Sequence, residues 1–225
     1  MYNAKSNLSM LPSRGINFFC AIGASLAWFS VLVQFYLIII NRVASIAETI
    51  VRYFSFFTIL TNIIVAVCFT MVLINGSSKW YRFISKATTL TAIAVYITIV
   101  GVVYNLILRF LWAPQGLQRF VDELLHSAIP LLFIAFWLLY VPKNNLKWKH
   151  SFNWLLYPLF YTLFILLRGS FSEYYPYPFI DVTKLGYGQA FFNGALLMFA
   201  FWFFSLLFIG IGKVISSRKK SIGIS

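Results

Sequence analysis

Residues 54–74 read FSFFTILTNIIVAVCFTMVLI, 21 consecutive positions without a charged side chain. At about 1.5 Å of helical rise per residue, such a run covers about 30 Å, the thickness of the hydrocarbon core of a bilayer. Five more apolar runs lie around it, at 16–40, 88–111, 124–141, 152–167 and 189–215, with 152–167, the fifth of the six along the chain, the shortest. Backbone inside lipid must satisfy its own hydrogen bonds, and the period-two alternation of a membrane β-barrel is absent, so each run reads as a helix. The expectation is an all-α integral membrane protein with six transmembrane helices, a single domain over residues 1–225. Composition agrees: 61% hydrophobic, 20% aromatic and 10% charged residues exclude a soluble domain, in which about a quarter of residues are charged.

The net charge of +13 invites a nucleic-acid reading that its distribution removes. Twelve of the 18 Lys and Arg fall at the N-terminus (Lys5, Arg14), in the second and fourth loops (Lys79, Arg82, Lys86; Lys143, Lys147, Lys149) and at the C-terminus (Lys213, Arg218, Lys219, Lys220). The other side holds six, Arg42, Arg52, Arg109, Arg119, Arg168 and Lys184. By the positive-inside rule both termini are cytoplasmic, in a multi-pass protein of the cell (inner) membrane. All five acids, Glu48, Asp122, Glu123, Glu173 and Asp181, fall on the opposite side. Trp80, Tyr81, Trp112, Trp148 and Trp154 stand at run ends, where interfacial anchors belong. The two early positive charges give residues 1–15 the look of a leader, but the following run is long and lacks a small-x-small cleavage site, so it reads as a retained first helix. Cys20 and Cys68 sit inside runs, where packing rather than a disulfide or thiolate metal site is expected.

The polar residues inside the runs collect towards one end. Ser55, Thr58, Thr61 and Asn62 follow at helical spacing in the second run, as one stripe beginning under Arg52. Thr88, Thr91, Thr98, Asn105 and Arg109 drift little around one face of the third. Arg168 closes the fifth, and Gln189 and Asn193 open the sixth after the long loop 169–188. Lipid offers such groups no partners, so they are expected to face inward around a polar chamber in the non-cytoplasmic half, with Phe and Leu walls that suit a lipid entering sideways.

His126 is the only histidine placed in an apolar run, and an ionisable group there needs a reason. In Asp122-Glu123-Leu124-Leu125-His126-Ser127-Ala128-Ile129-Pro130 both carboxylates precede the imidazole by one turn and share its face. Asp122, at i−4, is the better placed to fix the tautomer of a general base. Pro130 has no N–H, which frees the His126 carbonyl and bends the helix. A base needs a nucleophile, and the Thr58 hydroxyl lies at similar depth, with Thr61 as its rival. The plainer readings are Thr as packing glue, Asp122 and Glu123 as solvated acids at a helix N-terminus, and Arg109 and Arg168 as snorkelling cations.

The segments Phe56-Phe57-Thr58-Ile59-Leu60-Thr61-Asn62 and Leu125-His126-Ser127-Ala128-Ile129-Pro130 resemble the six-helix androgen-induced protein family. Trp154-Leu155-Leu156-Tyr157-Pro158, Arg168-Gly169, Tyr175-Pro176-Tyr177-Pro178-Phe179-Ile180-Asp181-Val182 and Gly186-Tyr187-Gly188 are similar to its bacterial branch, and the resemblance spans essentially the whole chain. Animal members are threonine hydrolases of fatty acid esters of hydroxy fatty acids. The resemblance implies Thr58 as nucleophile and His126 as base, while the Tyr175–Phe179 segment departs from the animal pattern. The expected activity is hydrolysis of a lipid or fatty acid ester drawn from the membrane, through an acyl-threonine and without metal or other cofactor. Asp122 would orient the imidazole, Asn62, Asn105 or Arg109 would donate to the oxyanion, and Arg168 and Asp181 would support the site. The alternatives are a non-catalytic lipid-binding or scaffold protein and, with no convincing internal repeat, a transporter. A metal-dependent hydrolase finds few ligands, since His150 lies near the other end. No nucleotide loop or Gly-x-Ser-x-Gly elbow is present.

Overall fold

A computed structural model describes residues 14–74, 76 and 78–221, apart from the side chains of Lys219 and Lys220. Lys5 and most of the leader-like segment lie outside the described residues. Ten helices and no strand occur among those described: α1 (Arg14–Ile40), α2 (Ile46–Phe54), α3 (Phe57–Ile74), α4 (Lys79–Ile84), α5 (Ala87–Leu106), α6 (Gly116–Glu123), α7 (Ile129–Tyr140), α8 (His150–Trp154), α9 (Leu156–Ser172) and α10 (Val182–Ser221). Six helical stretches are long and apolar enough to cross a membrane, with α6 and α7 joined into one of them and α8 and α9 into another. The chain is thus an all-helical, multi-pass membrane protein. α5 lies centrally against α3, α7 and α10, and α1 packs along α3 and α7. Cys20 and Cys68 are buried free thiols.

Several boundaries differ from the sequence reading, and each shift has a local cause. The second apolar run is divided. α2 opens on an N-cap at Ser45, with the Glu48 N–H donating to Ser45 Oγ at 3.2 Å, and closes at Ser55. No Gly or Pro stands at the break. Two tyrosines supply the missing partners instead: Tyr161 donates to the Ser55 carbonyl at 2.8 Å and accepts the Phe57 N–H at 3.2 Å, and Tyr177 accepts the Thr58 N–H at 3.3 Å. Ser55 therefore belongs to α2, its hydroxyl bonded to the Val51 carbonyl, and not to the stripe of Thr58.

The fourth span begins at Gly116 rather than at Leu124. Asp122 and Glu123 accordingly lie inside it, not at its N-terminus. The loop 169–188 is shorter than expected: α9 runs to Ser172 and α10 starts at Val182, with a kink at Gly186 whose φ is +73°. The intervening segment folds back over Gly169, where an added Cβ would meet the Tyr175 ring at 2.1 Å. Trp154 is buried, with its carbonyl bonded to Tyr96, and is no interfacial anchor. Lys143, expected as a loop charge, is buried with its ammonium on the carbonyls of Trp137, Leu138 and Val141 at the end of α7.

Candidate active site

His126 occupies a π turn, Leu124–Ala128, between α6 and α7. The Ile129 N–H reaches back five residues to the Leu124 carbonyl, which leaves the Leu125 carbonyl without its usual α-helical donor. Pro130, lacking an N–H, can serve neither Leu125 in π register nor His126 in α register. Two asparagines from neighbouring spans take over. Asn62 Nδ2 of α3 donates to Leu125 O at 3.2 Å and to Thr58 O at 2.9 Å, and Asn105 Nδ2 of α5 donates to His126 O at 3.2 Å and to Gly101 O at 2.8 Å. Gly101 allows the approach, since an added Cβ would lie 3.2 Å from the His126 carbonyl oxygen and 3.3 Å from Pro130 Cβ.

The imidazole is fixed on two sides. Its Nδ1 lies 2.9 Å from the Asp122 carbonyl and 3.2 Å from Asp122 Oδ1, so a hydrogen on Nδ1 has acceptors and Nε2 is left without a protein partner among the described residues. Tyr104 stacks on the ring, with centroids 3.9 Å apart and planes 14° from parallel, and its hydroxyl donates to Asp122 Oδ2. The sequence reading did not single out Tyr104; its signal was a phenol one position before Asn105. Asp122 and Glu123, expected to share the face of His126, diverge. Glu123 pairs with Arg109 at 2.6 Å and accepts from Ser127 at 3.0 Å, turned away from the imidazole.

Thr58 stands in the first turn of α3, a break-and-restart that puts its side chain at a helix start beside the 173–181 segment. Its hydroxyl lies 3.4 Å from the Tyr177 hydroxyl. Burial holds the Tyr177 phenol above its ordinary pKa of 10, so it remains a hydrogen-bond donor at neutral pH. Phe179 stacks on Tyr177 and Phe56 meets its edge. A cavity of about 450 Å³ is lined by Thr58, His126, Asp122, Tyr104 and Tyr177, with walls that include Leu37, Ile59 and Leu125. That size falls in the range of small-molecule sites. Gln118 donates to Gln34 at 2.8 Å across it, tying α6 to α1. A narrower space of about 40 Å³ lies on the other side of Thr58 and Tyr177, among Phe57, Val103 and Phe201.

The remaining expected site residues are placed elsewhere. Thr58 and His126 face one cavity without a hydrogen bond between them. Asn62, Asn105 and Arg109 do not line it: the two amides hold backbone carbonyls and the guanidinium is engaged by Glu123 and Ser127. Thr61 is buried beside Tyr157, outside the cavity lining. Arg168 donates to Glu48 at 2.7 Å and to the Tyr174 carbonyl at 3.3 Å. Asp181 caps the start of α10 through Thr183. Thr91 accepts from the Trp137 indole at 2.9 Å and serves packing. Among the described residues no three His, Cys, Asp or Glu side chains are grouped as a metal site requires. Comparison with family models, with curated proteins and with solved structures finds no match to this chain.

Proposed function

We propose that the protein is an intramembrane hydrolase of a lipid ester, with Thr58 as nucleophile and His126 as general base. One observation carries the reading: the Thr58 hydroxyl and the His126 imidazole line the same largely apolar cavity, with Asp122 behind the imidazole. The resemblance of these two helices to the androgen-induced protein family supports it. Catalytic hydrogen bonds are often long before substrate binds, so an open space between base and nucleophile is compatible with the role.

In the proposed reaction His126 Nε2 removes the Thr58 Oγ1 proton as the oxygen attacks the acyl carbon. The tetrahedral oxyanion takes a hydrogen bond from the Tyr177 phenol, whose oxygen is held beside the nucleophile by the Thr58 N–H. Collapse expels the alkoxide, which receives the proton from His126, and leaves an acyl-threonine. Water, deprotonated by the same imidazole, then releases the acid. Asp122, braced by Tyr104, holds the imidazole throughout.

The test is a set of four variants assayed for ester hydrolysis and ester binding. Thr58→Ala and His126→Ala each remove nearly all turnover, and the double variant is little worse than either, because the pair acts as one unit. Binding persists in all three. Thr61→Ala retains most activity. Small, additive losses from both substitutions would instead mark a non-catalytic lipid-binding protein.

A further inference from the structure

A second cavity, of about 710 Å³, lies towards the opposite end of the bundle between α3, α4, α5 and α8. It shares no lining residue with the cavity of Thr58. Its inner part is apolar, with Ile63, Val67, Ala92 and Ile93, and its outer part is polar, with Thr88, Thr89, His150 and Asn153. From Thr88 to Tyr96 the cavity follows eight residues of α5, about 12 Å of depth. That is the shape of an amphiphile with its polar end at the membrane surface.

The polar groups at the outer part are uncommitted. Thr70, Thr91 and Thr98 each bond the carbonyl four residues back, whereas Thr88, Thr89 and Asn153 have no side-chain hydrogen bond among the described residues. The Lys147 backbone N–H donates to His150 Nδ1 at 3.1 Å. An N–H can only donate, so Nδ1 is unprotonated and Nε2 must carry the ring hydrogen. His150 is thus a neutral donor. The Lys86 ammonium lies 5.7 Å from the ring centroid of Phe83, a wall residue, and Lys147 and Lys149 flank His150. All five Asp and Glu residues of the chain belong to other segments, so no acidic side chain stands beside those cations.

We propose that this cavity is a binding site for an anionic phospholipid, which places one acyl chain among the inner residues and its phosphate among Lys86, His150, Thr88, Thr89 and Asn153. The inference is independent of the hydrolase reading. Each cation near a membrane surface favours an anionic headgroup by about fivefold, and the hydroxyl, amide and imidazole donors fit phosphate oxygens.

Native mass spectrometry of the full chain, released from bilayers of equal parts phosphatidylglycerol and phosphatidylcholine with identical acyl chains, tests this. Phosphatidylglycerol is retained over phosphatidylcholine by about fivefold or more. Lys86→Gln combined with His150→Gln abolishes the preference, while Lys213→Gln, whose ammonium lies over Trp148, leaves it unchanged. Ala92→Phe lowers retention of both lipids by filling the inner cavity. Circular dichroism melting identifies variants that fold. Equal retention of the two lipids by the wild type, a preference that survives Lys86→Gln/His150→Gln, or displacement of phosphatidylglycerol by an equal concentration of oleate would overturn the proposal.

Discussion

Replacing Asn105 with Leu removes the one side-chain donor that reaches the His126 carbonyl among the described residues. The Gly101 carbonyl, its second acceptor, lies within α5 and keeps its helical N–H, so a single backbone oxygen is orphaned. Leaving a buried acceptor unpaired costs about 1–3 kcal/mol, while side-chain hydrogen bonds between membrane helices average about 0.6 and reach about 1.7 kcal/mol. The carbonyl is fixed by the π turn and Pro130 and cannot turn to another donor, which places the expected loss near the upper membrane value, at about 1–2 kcal/mol. Pro130→Ala restores an N–H four residues after His126. In that background the asparagine is redundant, and Asn105→Leu is expected to cost no more than about 0.5 kcal/mol. The four proteins form a double-mutant cycle with a coupling of about 1 kcal/mol, measured by reversible unfolding in mixed micelles on addition of sodium dodecyl sulfate. A coupling within about 0.5 kcal/mol of zero, the scatter of independent sites, would refute the account of why these residues stand together.

Two further expectations concern charge. Glu48 accepts from Arg52 and from Arg168, and these hydrogen bonds hold its carboxyl below the ordinary 4.5 despite some burial. A depressed carboxyl stabilises the fold above its unfolded pKa and loses that contribution as pH falls through the folded value, so the melting gap between wild type and Glu48→Gln, present at pH 7, closes below about pH 4.5; a gap that persists in acid contradicts this. Reporter fusions after Gly76, after Leu146 and at the C-terminus are expected to read cytoplasmic, and those after Val43, Pro114 and Glu173 external; an external C-terminus would reverse the orientation.

The number and nature of the spans were legible because hydrophobic length is a property of local sequence, and so was the company of His126 with Asp122, four residues apart on one helical face. Breaks made by tertiary partners were not. Nothing in Tyr53-Phe54-Ser55-Phe56-Phe57 marks a helix end; the end forms because Tyr161 and Tyr177, more than a hundred residues away, replace the lost backbone bonds. The π turn likewise needed Asn62 and Asn105. Pro130 announced one free carbonyl, but the extra residue in the turn freed a second, and the asparagines read as oxyanion donors became the partners of both. Tyr104 escaped notice, and Tyr177 was marked only as part of its loop, because aromatic residues are abundant in this chain and a functional phenol resembles a structural one until its hydroxyl acquires an acceptor.

The two ends of the bundle also treat charge differently, and this bears on what each cavity accepts. At the end that bears the acids, Arg52 and Arg168 meet Glu48, Arg109 meets Glu123 and Lys184 meets Asp181. Among the described residues no lysine or arginine lines the Thr58 cavity, and the carboxylate there, Asp122, is engaged by His126 and Tyr104. A charged ligand would find no counter-ion there, and its desolvation would go uncompensated. An uncharged group such as an ester asks for only one or two directed hydrogen bonds, and the Tyr177 phenol is placed to give one. At the other end no Asp or Glu side chain stands beside Lys86, Lys147 and Lys149, so an anion is the natural complement. The same placement of five acids along the sequence thus favours a neutral group beside Thr58 and an anionic one beside Lys86.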